Sequence, residues 1–180
     1  MKVPFVSFLP MEKELDKDLR AAFERVYTRS WYIGGVEDEE FEKAFAQYCT
    51  TEYCVGVGNG LDALMLALKA LGVGAEDEVI VPSNTYIATA LAVTYVGAKL
   101  VFVEPDIRTF NINPENIEAA ITDKTKAIVI INPNNPTGAV YPKEVLEQIV
   151  ELAREHELMI FSDEIYDRLV MDGIEHTSIA

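Results

Sequence analysis

Apolar residues recur along the chain in two patterns. Five short, β-branched runs, about Cys54–Val57, Glu78–Val81, Lys99–Val103, Lys126–Ile131 and Leu158–Phe161, predict strands. Their near-continuous hydrophobicity fits strands covered on both faces. Between and before them the spacing turns helical. Leu15, Leu19, Phe23 and Val26 share one face of an N-terminal helix, and Phe41, Ala44, Phe45 and Tyr48 share one face of the next. Leu61 to Leu71 is apolar almost all round, which predicts a helix buried on more than one side. Gly72 and Gly97 stand where helices need a left-handed residue to stop. Asn113-Pro114 reads as an N-cap with proline in the first turn, feeding Ile117, Ala120 and Ile121. Pro142 opens a last helix with Val145, Leu146, Ile149 and Leu152 on its core face. Strands alternating with helices imply right-handed crossovers. The expectation is an α/β fold, a mostly parallel sheet of about five strands flanked by helices. Residues 1–50 form an N-terminal helical segment and residues 51–180 one unit that carries the sheet.

Composition narrows the class. The chain has 180 residues, 49% of them apolar, enough for one core of ordinary size. No apolar run is long enough to span a bilayer, and the first residues lack the pattern of a signal peptide. Cys49 and Cys54, the two cysteines, lack metal-ligand spacing and read as reduced thiols. A cytoplasmic protein with no membrane partner is expected. The net charge of −15 disfavours nucleic acid, whose phosphates need basic patches. It also means that a bound anion must be held by local geometry.

Local geometry of that kind is present at Gly58-Asn59-Gly60, between a predicted strand and a helix. Such a junction offers unpaired helical N–H groups and the positive end of the helix dipole. A plain tight turn would look the same. A dinucleotide-binding domain is the sharper rival, but Gly56, Gly58 and Gly60 give G-x-G-x-G rather than G-x-G-x-x-G. The next strand also runs into Pro82 with no terminal acid to hold a ribose.

The segments Gly56–Leu64, Asp77–Thr89 and Val103-Glu104-Pro105-Asp106 carry a resemblance. On them, residues from about 4 to 129 resemble the DegT/DnrJ/EryC1/StrS sugar aminotransferases, particularly those acting on dTDP-linked 3-keto-6-deoxyhexoses. The resemblance implies pyridoxal 5′-phosphate as cofactor, with its phosphate on the backbone at Asn59, Gly60 and Leu61 and its ring stacked on Tyr86. Many relatives carry Thr where this chain has Leu61, so a hydroxyl contact is lost. Read alone, Tyr86 is equally a half-buried core tyrosine.

Asp163 follows Leu158–Phe161 and is expected at the C-terminal end of a parallel strand, the edge where open α/β sheets bind ligands. A carboxylate there can keep a pyridine nitrogen protonated. Asn135 and Tyr166 can hydrogen-bond a phenolic oxygen. Alone, Asp163 would serve as a helix cap and Asn135-Pro136-Thr137-Gly138 as an ordinary turn. Together with Asp163-Glu164-Ile165-Tyr166 they make residues from about 128 to 180 resemble a second family, the class I amino-acid aminotransferases of the alanine type. That resemblance pairs Asp163 with the pyridine nitrogen, and Asn135 and Tyr166 with the ring oxygen.

The chain thus reads as a hybrid joined near Lys126–Ile131, on the fold-type-I large domain that both families share, and as a truncated one. The relatives bond their cofactor through a lysine at the sheet's C-terminal edge. Lys99, Lys124 and Lys126 stand at strand beginnings, Lys69 and Lys143 in helices, and Lys2, Lys13, Lys17 and Lys43 before the sheet. No catalytic residue is assigned, and cofactor binding is expected to be weak and non-covalent. His156 and His176 read as helix-end and loop residues, and Glu164 and Asp167 lack the spacing for a metal. A homo-oligomer is expected. The alternatives are a non-catalytic engineered or hybrid scaffold and a nucleotide-binding domain.

Overall fold

A computed structural model describes Pro4 and residues 6–180. The chain divides into two compact units that part between Gly56 and Val57. The first holds α1 (Leu9–Arg29) and α2 (Val36–Tyr48). Ser30, at φ 54°, ends α1 in the left-handed region, and Glu37, Asp38 and Glu39 sit in the first turn of α2, where the helix dipole favours them. The two helices are tied by Arg25 and Arg29, which reach Glu37 at 2.9 and 3.2 Å. Such exposed pairs contribute little stability. Ala46 is the one buried residue of these helices. The apolar faces read from the sequence exist, but Leu19, Phe23, Phe41, Phe45 and Tyr48 are all exposed. On α2 the rings pack among themselves, Phe41 on Phe45 and Phe45 on Tyr48, with centroids 5.5 and 5.9 Å apart.

The second unit runs α3 (Gly60–Ala70), β1 (Glu78–Pro82), α4 (Ile87–Tyr95), β2 (Lys99–Val103), α5 (Pro114–Ala120), β3 (Thr125–Ile131), α6 (Lys143–Glu155) and β4 (Met159–Asp163). The four strands are parallel, in the order β2-β1-β3-β4. Strand alternation divides the core in two. Val79, Val81, Ala127, Val129 and Ile131 face Leu68 of α3 and Ala92 and Val93 of α4. Ile80, Ile128 and Ile130 face Ile117 of α5 and Leu146, Ile149 and Leu152 of α6. Burying each of the valine, leucine and isoleucine side chains contributes about 1.5–3 kcal/mol. The caps are those expected. Gly72 and Gly97 have φ of +75° and +81°, and the Asn113 side chain accepts the Asn116 N–H at 2.8 Å.

Two expectations fail. Cys54–Val57 is not a strand, so the sheet has four strands rather than five. A strand needs a hydrogen-bonding neighbour, and none among the described residues pairs with this segment. The Gly56 N–H donates instead to Oε1 of Glu42 at 2.7 Å. Helix α3 is not enclosed on several sides either. Leu68 is buried, but Leu66 and Leu71 are 47% and 51% exposed, because the sheet and α4 cover only one side of the helix.

Candidate functional site

Chain direction reverses inside this sheet. From β1 the chain steps outward through α4 to β2, and from β3 it steps the other way through α6 to β4. Those two helices lie on opposite faces, which keeps both crossovers of one hand. The C-terminal ends of β1 and β3 therefore flank a switch point, the place where loops diverge and leave a crevice. The strand ends are nearly level, since Ile80 pairs with Ile128 and Ile131 with Asp163. Neighbouring strands lie about 5 Å apart, so the loops after β1, β3 and β4 share one small rim.

The structure places each expected residue on that rim. Helix α3 ends in a short turn into the start of β1, so its N-terminus faces the opposite, C-terminal edge. Asn59 is its N-cap, with Oδ1 accepting the Asp62 N–H at 3.0 Å and its carbonyl accepting the Ala63 N–H at 3.1 Å. The N–H groups of Gly60 and Leu61 have no acceptor within the helix and remain for an anion. A Cβ on Gly60 would meet nothing within 4 Å, so a ligand can reach the backbone. Leu61 does not face the crevice freely; it packs against the core. One feature opposes an anion: the Asp62 carboxylate lies in the same turn, accepting from Asn59 Nδ2 at 2.9 Å.

Tyr86 is the N-cap of α4 and 59% exposed, so its ring face is open. That decides against a core tyrosine. Asn135 is half-buried in the loop after β3, and Tyr166 half-buried in the turn after β4. Asp163 ends β4 half-buried, and Oδ1 accepts only a long, 3.3 Å bond from the Ile165 N–H. It caps no helix, since 165–168 form a turn. The donors and acceptors that a phosphate, an aromatic ring and a pyridinium nitrogen require thus stand together on one edge, mostly unspent.

Within the second unit the lysines stand elsewhere, with one qualification. Lys99, Lys124 and Lys126 are at strand starts, Lys69 at the C-terminus of α3, and Lys13, Lys17 and Lys43 in the first unit. Lys2 lies outside the described residues. Lys143 opens α6 and so sits toward the C-terminal edge, but its Nζ turns to Glu147 at 3.6 Å.

Several contributors escape sequence reading. Asn132 is fully buried at the end of β3. His176, read as a loop residue, lies in an irregular segment, but its Nε2 stands 3.1 Å from the Asn132 carbonyl and 3.7 Å from Glu164. Glu164 also accepts from Ser162 Oγ at 2.8 Å. In the sequence Asn132 is only an asparagine directly after an apolar strand; its burial shows in the structure alone. The Asp106 carboxyl, in a segment that carried the resemblance, is held down at about 2, first by the Arg108 guanidinium and then by the backbone N–H of Arg108. It is the staple of its own loop. Cys54 is half-buried and Cys49 exposed, both as thiols, and burial pushes the Cys54 thiol up. No group of three metal-ligating side chains occurs, and no helix is long and apolar enough to cross a membrane, among the described residues.

Known proteins share this fold and sequence. The DegT/DnrJ/EryC1/StrS aminotransferase family matches residues 13–164, past the point near residue 129 where the resemblance to class I enzymes takes over. A dTDP-3-amino-3,6-dideoxy-alpha-D-galactopyranose transaminase of Aneurinibacillus thermoaerophilus is 43% identical over 89% of this chain and 43% of its own length. The glutamate-pyruvate aminotransferase AlaA of Haemophilus influenzae is 45% identical over 77% of this chain and 36% of its own. The crystal structure of S. venezuelae DesV superposes with a TM-score of 0.81 at 42% identity, over 90% of this chain and 42% of DesV. Aspartate aminotransferase of Thermus thermophilus superposes at 0.63 and 44% identity, over 67% of this chain and 31% of the enzyme. The chain spans less than half the length of these relatives.

Proposed function

Because the chain belongs to the DegT/DnrJ/EryC1/StrS aminotransferase family, we propose that its second unit is the cofactor-binding part of a pyridoxal-phosphate-dependent aminotransferase. The observation that carries the reading is the switch-point rim, the edge toward which both the free α3 amides and an unspent strand-end carboxylate are set. In it, the Gly60 and Leu61 N–H groups receive the phosphate, with Asn59 holding the turn. Tyr86 lays its ring on the pyridine, Asp163 keeps a proton on the ring nitrogen, and Asn135 and Tyr166 bond the ring oxygen. When bound, pyridoxal phosphate supplies an electron sink for a carbanion. The family reaction is amino-group transfer, to a keto sugar nucleotide or a 2-oxo acid. Two of the relatives span that choice, one acting on a dTDP-sugar and one named for glutamate and pyruvate.

Binding by the 180-residue chain is weak and non-covalent, since the second unit's lysine toward the rim, Lys143, is turned to Glu147. Titration with pyridoxal 5′-phosphate should give saturable binding that inorganic phosphate competes away. Borohydride treatment and peptide mass spectrometry should then find no single dominant modified lysine. A stoichiometric adduct at one lysine overturns the non-covalent reading, and absence of saturable binding overturns the site. That same turn of Lys143 favours the second reading, a non-catalytic scaffold that keeps a partial anion site.

The chain also self-associates in this reading. Leu66 and Leu71 on α3, Phe102 on edge strand β2 and Met159 on edge strand β4 are exposed apolar side chains on one unit. Open strand edges invite pairing, and screening limits the repulsion of a −15 chain to about 8 Å at physiological salt. Sedimentation at micromolar concentration should show a dimer or larger; a clean monomer contradicts it.

A further inference from the structure

Asn132 is the first residue after β3 and 0% exposed. A buried asparagine must satisfy two backbone and two side-chain groups within the protein, or each lost bond counts against folding. Here each group goes to a different position. Its N–H donates to the Asp163 carbonyl at 2.9 Å, and its carbonyl accepts from His176 Nε2 at 3.1 Å. Since a carbonyl only accepts, His176 carries its proton on Nε2. Oδ1 accepts the Tyr141 N–H at 3.1 Å, and Nδ2 donates to the Thr177 carbonyl at 3.0 Å.

The Tyr141 bond closes the segment 132–141 into a loop, and Asn135 hangs inside it. The loop is tied within as well: Asn134 N–H to the Ala139 carbonyl at 2.9 Å, Gly138 N–H to the Asn134 carbonyl at 2.8 Å, and Asn134 Nδ2 to Thr137 Oγ1 at 2.9 Å. Its far end is seated in the core. Tyr141 is buried, its hydroxyl accepting the Ile112 N–H at 3.2 Å, and burial pushes that phenol up, so it stays neutral. On the other side, Thr177 and His176 bring the last described segment onto the strand ends. Ile179 N–H adds a bond to Glu164 Oε1 at 3.2 Å. One residue thus connects all three: its side chain spans the loop bearing Asn135 and the segment 176–180, and its backbone N–H holds the strand end bearing Asp163.

We infer that Asn132 is the positioning residue of the rim: through its four hydrogen bonds it sets the Asn135 loop, the Asp163 strand end and the 176–180 segment as one unit. It touches no ligand itself. The inference rests on the cofactor reading above for its consequence, namely that loss of Asn132 weakens the grip on the pyridine ring, but its coupling of three segments is a property of the fold.

The two parts are tested together on the 180-residue chain with Asn132→Ala and His176→Ala. Amide hydrogen exchange read by mass spectrometry should rise about tenfold or more in both 133–141 and 176–180 for Asn132→Ala, as for a lost hydrogen bond worth about one factor of ten. Protection in β1 should stay unchanged. His176→Ala should release 176–180 alone. Affinity for pyridoxal 5′-phosphate should fall about tenfold in Asn132→Ala and by less in His176→Ala. Equal loss of protection across the sheet, or release of only one segment by Asn132→Ala, overturns the coupling. Unchanged affinity beside released segments overturns the positioning role, while failure of the unaltered chain to bind overturns the cofactor reading and the positioning consequence with it, whatever the exchange shows. Should Asn132→Ala not fold, Asn132→Asp at pH 8 keeps an acceptor for the Tyr141 N–H and loses the donor to Thr177. It should expose 176–180 and spare 133–141; no change in either segment overturns the coupling.

Discussion

The two edges of the sheet are built to opposite ends. At the N-terminal edge the polar groups consume one another. Glu78, buried at the start of β1, accepts from Lys99 Nζ and from Thr122 Oγ1, both at 2.6 Å. Lys99 first, then Thr122, hold its carboxyl below the usual range. At the C-terminal edge the backbone is tied just as firmly, through Asn132, but the outward groups are left over. Tyr86 is exposed, the Gly60 and Leu61 amides lack a helical partner, and the Asp163 carboxylate holds one long bond. The same parallel strands produce both edges. What differs is where each polar group is spent: on structure at one edge, on anything that docks at the other.

The comparison can be broken most severely from beneath. Ile128 is fully buried in β3, in the core that supports both edges. Ile128→Ala should cost about 2–5 kcal/mol by urea denaturation, the range for emptying a core position. Both edges should fail together; selective loss of the C-terminal loops would mean that they do not share one floor.

A smaller effect sharpens the C-terminal edge. Leu61 packs on the core while its N–H, in the first turn of α3, has no acceptor within the helix. Leu61→Thr should lose about 1–2 kcal/mol of stability with the apolar contact. It should gain a few-fold in affinity for pyridoxal 5′-phosphate from the added hydroxyl. Stability and binding moving in the same direction would contradict the division of roles within this one residue.

The smallest effect is at the N-terminal edge, where Lys99 is largely exposed and solvent screens the pair. The folded Glu78 carboxyl titrates below its unfolded value, so its stabilisation is present above about pH 4.3 and is lost as pH falls through the lower, folded value. Glu78→Gln should therefore melt below the unaltered chain at pH 7, with the gap closing toward pH 3. A gap that widens in acid would reverse the assigned sign.

How much of this could be read from the sequence follows from which interactions are local. Asn113, Gly72 and Gly97 act within one turn, and the structure keeps each of them in its expected role. Asp163 is expected at a strand end because a strand pattern fixes its own end, and it does end β4. What stayed hidden depends on partners distant in the chain. Cys54–Val57 has a strand's composition and no strand beside it. Asn132 looks like any turn asparagine until Asp163, Tyr141, His176 and Thr177 converge on it. Glu78 likewise reads as a polar strand boundary, although Thr122, 44 residues away, buries and binds it.

One paired titration tests the central claim that the two edges differ in purpose. Calorimetry with pyridoxal 5′-phosphate should be run on the unaltered chain, Asp163→Ala and Glu78→Gln at pH 7. Asp163→Ala should weaken binding by about 1–3 kcal/mol, the loss of a hydrogen bond to a charged group, or roughly five- to 150-fold. Glu78→Gln should leave the affinity where it was. Equal affinity in Asp163→Ala and the unaltered chain would contradict the account, because the ring would then lie away from the strand end that Asp163 occupies.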